Sequence, residues 1–187
     1  MAHATHRLTR SRLIAILLAG LFSVLTLHAV TLDELLNDPK MSPKRFADYF
    51  GDFAYEYGEA VQTPEQFLSS RRGDCDDYAI LADYVLKKKN YETRLIHVRM
   101  VGRVAHAVCY VTQSHAYVDY NNRRYFITLQ RCGSTLREIA TTVADSFEAN
   151  WTSVSEFTYD YAENKKHFGS TVVKTDPPSR DPDSAKP

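Results

Sequence analysis

The sequence predicts a long helix with a broad apolar face, followed directly by short strands, and this order limits the chain to few folds. The helix is predicted from about Cys75 to Lys89, and its apolar positions are Tyr78, Ala79, Leu81, Ala82, Val85 and Leu86. A helix that is apolar over so much of its surface is usually buried at the centre of a domain. We therefore expect the rest of the chain to pack around it.

Strands are predicted after this helix, because the apolar period changes to two after Tyr91. Asn121-Asn122 is a two-residue hairpin signal. The predicted strands cover about residues 95–100, 104–111, 116–120 and 123–130. Short strands joined by tight turns predict an antiparallel β-meander packed on the central helix, which is an α+β fold. A helix over residues 135–147 and a last strand over 153–161 follow.

Three short helices are predicted before the long one. Thr31-Leu32-Asp33-Glu34 is typical of a capping box. In this motif the side chains of a threonine and of an acid three residues later each accept a hydrogen bond from the other residue's backbone N–H. Ser42-Pro43 supplies a cap and a proline at the first helical position. Thr63-Pro64-Glu65-Gln66 repeats the start signal, and this helix is expected to end near Ser70.

The first 29 residues are predicted to be a secretory signal peptide. Three arginines, at positions 7, 10 and 12, precede an apolar run from Leu13 to Leu27, and Leu27-His28-Ala29 can serve as a cleavage sequence. The run of about 15 residues is shorter than the roughly 20 that span a bilayer. An uncleaved N-terminal anchor is the alternative.

Composition fits one globular domain, since 44% of the 187 residues are hydrophobic and 25% are charged. We expect the domain over residues 30–173 and a disordered tail over 174–187, where Pro, Asp, Ser and Lys predominate. The chain has 23 basic and 23 acidic residues. The first 29 residues contain three arginines and no acid, so cleavage of this segment leaves a chain with a net charge of about −3. No basic face is visible. We expect no nucleic-acid partner, and membrane contact only through an uncleaved N-terminal segment.

Cys75, Cys109 and Cys132 are the three cysteines of a chain that we expect to be exported. An odd number in an oxidising compartment leaves at least one thiol free or bridged to another chain. Cys109 and Cys132 can form a disulfide, which leaves Cys75 free, or both can stay buried and reduced.

Cys75 stands where the long helix is predicted to begin, directly after Gly73-Asp74. Unpaired N–H groups and the helix dipole stabilise a thiolate at such a position. His106 is the best candidate for an imidazolium that pairs with the thiolate and then delivers a proton to a leaving amine. Asp119 is the candidate that orients the imidazole. These three residue types in this order predict acyl transfer at an amide or ester.

The strand register supports the pairing of His106 with Asp119. A hairpin centred on Gln113 pairs residues whose numbers add up to about 225 or 226, so His106 is expected to face position 119 or 120. Cys109 points to the other face of its strand and is a poor candidate for the nucleophile.

Acyl transfer also requires donors for the oxyanion that forms on the substrate. The backbone N–H of Cys75 is one candidate. Gln66 and Gln62 are candidates for a side-chain donor by their position, although the cap at Thr63 also explains Gln66.

Several alternative roles apply to the same residues. The helix dipole alone explains the acids around Cys75, which are Asp74, Asp76 and Asp77. No standard zinc spacing is present among Cys75, His106, Cys109, His115 and Cys132. We therefore expect no metal and no cofactor. Asp119 can also cap the Asn121-Asn122 turn, and His97 and His115 are expected at the surface or at a strand edge.

The segment Gly73-Asp74-Cys75-Asp76-Asp77-Tyr78-Ala79 resembles the nucleophile motif of the transglutaminase-like superfamily, whose fold is papain-like. Ala105-His106-Ala107-Val108 is similar to the histidine strand of that superfamily, and Tyr117-Val118-Asp119 to its aspartate strand. Thr63-Pro64-Glu65 resembles the exported bacterial transglutaminase-like cysteine peptidases. The resemblance covers about residues 60–130. It implies that Cys75 is the nucleophile, His106 the base and acid, and Asp119 the orienting carboxylate.

The expected function is that of an exported cysteine hydrolase or acyltransferase, periplasmic or extracellular. It would act on peptide or amide bonds through a thioester acyl-enzyme, with a peptide or protein substrate and cell-wall peptides among the candidates. A binding or assembly module with an inactive triad and a protein-crosslinking transglutaminase are the alternatives. The complete set of Cys75, His106 and Asp119 favours the enzyme.

Overall fold

The computed structural model describes residues 30–122 and 129–175. The helices are α1 (Leu32–Asn37), α2 (Pro43–Asp48), α3 (Pro64–Ser70), α4 (Cys75–Lys88) and α5 (Leu136–Ser146). The strands are β1 (Ala54–Tyr55), β2 (Arg72–Gly73), β3 (Thr93–Met100), β4 (His106–Val111), β5 (Ala116–Val118), β6 (Leu129–Arg131), β7 (Trp151–Asp160) and β8 (Lys165–Val173). The signal peptide predicted over 1–29, residues 123–128 of the predicted strand and residues 176–187 of the predicted tail lie outside the described residues.

An antiparallel six-stranded sheet in the order β6-β5-β4-β3-β7-β8 forms the middle of the molecule. The strands β3 to β6 form the meander that the sequence predicts, and β7 and β8 extend the sheet beyond β3. A separate pair, β1 with β2, is parallel and lies next to the start of α4 in the chain. The α+β prediction is confirmed.

Helix α4 packs on one face of the sheet and α5 on the other. Apolar side chains of α4 form a core with Leu95, Ala107, Cys109 and Val118 of the sheet. Side chains of α5 form a second core with strand residues such as Ile96, Val108 and Tyr110. Because both faces of β4 are covered, every residue of this strand is buried. The prediction placed a helix on one face only.

The helix starts that the sequence predicts are present. Thr31 and Glu34 of α1, and Thr63 and Gln66 of α3, form both reciprocal bonds of a capping box. The hydroxyl of Ser42 accepts the Arg45 N–H at the start of α2. These signals predict correctly because each one involves residues only three positions apart.

The main departures from the prediction lie in and beyond the later part of the meander. Asn121-Asn122 belongs to a 3₁₀ turn over Tyr120–Asn122 rather than to a two-residue hairpin. Strand β8 was not predicted, because it is an edge strand that is mostly exposed and shows no apolar alternation. In the described ranges no helix is long and apolar enough to cross a membrane.

Candidate active site

Cys75 is the first residue of α4, and its helix start is fixed by two carboxylates. Asp74 caps the helix, since its Oδ1 accepts the Asp76 N–H at 2.9 Å. Asp77 reciprocates, since its Oδ2 accepts the Asp74 N–H at 3.0 Å. The Cys75 N–H forms no hydrogen bond to the residues that the structure describes. It is therefore one of the free donors that a helix start offers to an anion.

His106 begins β4 and is 6% exposed. Its Nε2 lies 2.9 Å from Oδ1 of Asp119. The Cys75 side chain lines the same cleft and contributes to the electrostatics of the ring. Since Nε2 bonds to Asp119, Nδ1 is the nitrogen left for Cys75. The ring of Phe147, which ends α5, packs edge-on against the imidazole at 4.8 Å between centroids.

Electrostatics favour the protonated form of His106. Burial disfavours the charge, but the Asp119 carboxylate, its hydrogen bond to the ring and the nearby Cys75 side chain outweigh it and raise the pKa of His106 above its ordinary value of 6.5. An imidazolium beside a thiol is the arrangement that stabilises a thiolate.

Asp119 follows β5 and is 1% exposed. Its Oδ1 accepts the Asn121 N–H at 2.8 Å in addition to the bond from His106. The two roles that the sequence suggested, orienting the histidine and capping the following turn, are thus filled by the same oxygen. Its Oδ2 is buried and has no hydrogen-bond partner among the described residues.

The register of β4 and β5 differs slightly from the prediction. Tyr110 pairs with Tyr117 and Cys109 with Val118, so paired residue numbers add up to 227 rather than 225 or 226. Continued to the start of β4, this register places His106 opposite position 121, so that Asp119 lies diagonally across from it. The two residues stay on the same face, because a shift by two positions preserves the alternation of side chains.

The Gln66 prediction needs correction. Its Oε1 accepts the Thr63 N–H at 3.0 Å, and its own N–H donates to the Thr63 hydroxyl, so it is used in the cap of α3. Gln62 donates to the Arg72 carbonyl and to Asp77. Neither glutamine lines the cleft that contains Cys75.

The disulfide predicted as one alternative is absent, since Cys75, Cys109 and Cys132 are all free thiols. Cys109 belongs to the core below α4, whereas Cys132 packs with the core on the α5 side. The sheet separates the two sulfur atoms. Burial raises the pKa of Cys109 and raises that of Cys132 to about 11, so neither is disposed to react.

Cys75 and His106 line a cleft of about 500 Å³. Sequence reasoning missed several residues of this cleft, among them His97 of β3 and Lys166 of β8. The alternation of β3 could have identified His97, because it shares the face of Leu95, which points to α4. Nothing local predicts Lys166, since it comes from the strand that was not predicted.

His97 and Lys166 are polar residues of the cleft wall near the start of α4. Burial lowers the pKa of His97 to about 4, in spite of attraction by Asp76, so its imidazole is neutral at neutral pH. Lys166 forms an ion pair with Asp76, the second residue of α4. This contact ties the C-terminal strand to the start of the helix that carries Cys75.

Two groups of described residues have ligand atoms close enough to hold a cation. Asp74, Cys75 and Asp76 form one group, and Asp160, Glu163 and His167 form the other, which is exposed. In the first group both carboxylates already have protein partners, namely backbone N–H groups for Asp74 and Lys166 for Asp76. The helix start therefore accounts for these acids.

The fold and the cleft define a papain-like arrangement of a helix-borne cysteine facing a histidine on a strand. A family model described as a transglutaminase-like domain matches residues 28–145. The chain belongs to this transglutaminase-like family. A search of curated proteins found no match.

Proposed function

We propose that this chain is an exported cysteine hydrolase or acyltransferase that acts on peptide or amide bonds through a thioester acyl-enzyme. The observation that supports the proposal most strongly is that Cys75 and His106 line the same cleft and that His106 is hydrogen-bonded to the buried carboxylate of Asp119. A structural thiol would require neither a protonated histidine nor a buried carboxylate behind that histidine.

In the proposed reaction the Cys75 thiolate attacks the carbonyl carbon of the substrate, and a carbon–sulfur bond forms. The carbonyl oxygen becomes an oxyanion that accepts the free N–H of Cys75. As the carbon–nitrogen bond breaks, the His106 imidazolium donates its proton to the leaving amine. Asp119 holds the imidazole in the orientation that this transfer requires.

The thioester is resolved when a water molecule or an amine attacks its carbonyl carbon. Neutral His106 takes the proton of the attacking group, and the Cys75 thiolate leaves. Water gives hydrolysis and an amine gives transamidation. The chemistry uses only these side chains, so no cofactor is needed, and the substrate is a peptide or protein, with cell-wall peptides among the candidates. The basic and apolar character of residues 1–29 supports export.

Mass spectrometry of an acyl-enzyme tests this proposal. We expect p-nitrophenyl acetate, quenched in acid within seconds, to leave an acetyl group on the peptide that contains Cys75 and not on the one that contains Cys132. The Cys75→Ala variant should release no burst of nitrophenol. With a labelled primary amine present, amide formation would indicate transamidation, and acetate release alone would indicate hydrolysis. A folded protein whose Cys75 stays unacylated would instead be the inactive binding module.

A further inference from the structure

The edge of the Cys75 cleft carries exposed apolar side chains. In the described part of the chain, large apolar side chains are exposed at Tyr55, Tyr57, Val101, Val104, Phe168 and Val173. Three of these six line the cleft: Tyr55 is 56% exposed, Tyr57 is 63% exposed and Val104 is 71% exposed. Such a concentration of exposed apolar surface around one concave site indicates a surface that binds a partner.

Two segments bring these side chains to the cleft. Tyr55 and Tyr57 belong to the segment that starts with β1, and this segment is tied to the helix start because the Gly58 N–H donates to Asp74 at 3.2 Å. Val104 lies two residues before His106 in the loop between β3 and β4. The exposed apolar side chains therefore lie next to both predicted reacting residues. Tyr55 and Tyr57 lie beside the helix start that carries Cys75, and Val104 lies beside His106.

The backbone of Tyr55 is available for pairing with an extended chain. In the parallel pair of β1 and β2, the Ala54 N–H donates to Arg71 at 2.9 Å and the Glu56 N–H donates to Gly73 at 2.8 Å. Because alternate residues of a strand form the bonds to one neighbour, the N–H and C=O of Tyr55 point away from β2. The Tyr55 N–H has no partner among the described residues. An edge of this kind can accept an extended peptide as an additional strand.

The charges of the cleft do not favour a strongly charged ligand. The cleft is lined by three acidic residues, and two basic residues offset part of their negative charge. The acidic residues are Glu59, Asp74 and Asp76, and the basic residues are Arg103 and Lys166. Lys166 is paired with Asp76, and Arg103 donates to the carbonyl of Phe147 at 3.3 Å. His97 is neutral at neutral pH because burial lowers its pKa to about 4. The cleft thus offers apolar contacts and backbone hydrogen bonds rather than a field of one sign.

We propose that this cleft binds an extended segment of polypeptide that pairs with the free edge at Tyr55 and places one aromatic or large aliphatic side chain among Tyr55, Tyr57 and Val104. This inference adds a class of substrate to the proposed function. It rests on the proposed function in one respect, namely that the bound segment carries the acyl group that is transferred. Binding of the segment itself requires no turnover.

Binding to the Cys75→Ala protein tests the inference without relying on catalysis. The probes are short, dye-labelled, end-blocked peptides of one Ala/Ser backbone, with Phe, Leu, Asp or Lys at the central position, and the readout is fluorescence anisotropy. We expect the Phe and Leu peptides to bind at least about tenfold more tightly than the Asp and Lys peptides. Equal affinity for all four peptides would overturn the inference.

Two exposed valines of the same loop provide matched variants. Val104→Ser should reduce the preference for the Phe peptide by roughly threefold or more, because serine removes apolar contact area. Val101→Ser should leave the preference unchanged, because Val101 is 61% exposed but does not line the cleft. Tyr57→Ser should act like Val104→Ser. An equal effect of Val104→Ser and Val101→Ser would contradict the proposed location.

The outcome separates this inference from the proposed function. Selective peptide binding without acylation of wild-type Cys75 would leave the inference standing and remove the enzyme. Acylation of Cys75 without any preference among the peptides would leave the enzyme standing and remove the inference.

Discussion

Replacement of His106 by alanine is expected to lower the free energy of unfolding by about 3–5 kcal/mol at neutral pH, since it removes one partner of a buried ion pair. Asp119 would stay buried, at 1% exposure, without the cation that its carboxylate now contacts. Urea unfolding followed by circular dichroism measures the change. Acyl transfer should be lost at the same time, because the same side chain supplies the proton.

The pH dependence of this effect has a definite sign. The pKa of His106 in the folded protein is raised above 6.5, chiefly by Asp119 against the opposing effect of burial. The stabilisation is therefore complete below pH 6.5 and is lost as the pH rises through the raised pKa. The gap in stability between wild type and His106→Ala should narrow as the pH is raised from 6.5.

Two further variants serve as controls for His106→Ala. His167→Ala removes a half-exposed histidine that pairs with exposed Glu163, and should change stability by less than about 1 kcal/mol. The double variant His106→Ala/Asp119→Asn should be more stable than His106→Ala, because the unpaired carboxylate is gone. Equal losses for His106→Ala and His167→Ala would mean that no buried ion pair exists.

Replacement of Gly73 by alanine is expected to destabilise the fold by about 2–4 kcal/mol, through crowding and through damage to the cap of α4. A Cβ at position 73 would lie 2.5 Å from Oδ2 of Asp77 and 2.7 Å from ring carbons of Phe67, and both side chains are buried. Oδ2 of Asp77 accepts the Asp74 N–H, so its displacement would disturb the helix start at Cys75. Urea unfolding gives the loss of stability.

Gly169→Ala is the matched control for the substitution at position 73. A Cβ at Gly169 would come no closer than 3.7 Å to its nearest neighbour, which is ordinary contact. We expect this variant to unfold within about 0.5 kcal/mol of wild type, as surface substitutions usually do. If Gly73→Ala matched Gly169→Ala, the tight packing behind the Gly73-Asp74-Cys75 turn would be refuted.

Local signals account for most of what the sequence predicts correctly. The capping boxes at Thr31 and Thr63 and the start of α4 at Cys75 depend on residues close in the chain, and the structure contains all of them. The proximity of His106 and Asp119 is also predicted, because one short connection joins their strands and alternation keeps both on one face.

Features that depend on distant partners were not predictable in this way. Gln66 stands at a position that suits an oxyanion donor, but the nearby Thr63 already binds it. His97 shares the face of Leu95 by alternation, but only the tertiary structure shows that this face of β3 packs below α4. Lys166 lies on an exposed edge strand and contacts Asp76, which stands 90 positions earlier in the sequence. Cys109 and Cys132 are separated by a sheet whose two faces only the tertiary structure defines.

Alkylation of the wild-type protein by iodoacetamide at pH 6, with the rate at each cysteine followed by peptide mass spectrometry, tests whether Cys75 and His106 form a thiolate–imidazolium pair. Cys132 is the internal control, because burial raises its pKa to about 11. We expect Cys75 to react at least about tenfold faster than Cys132, and folded His106→Ala protein to lose this difference. Equal rates at Cys75 and Cys132 in the wild type, or an unchanged rate at Cys75 in the variant, would contradict the thiolate–imidazolium pair.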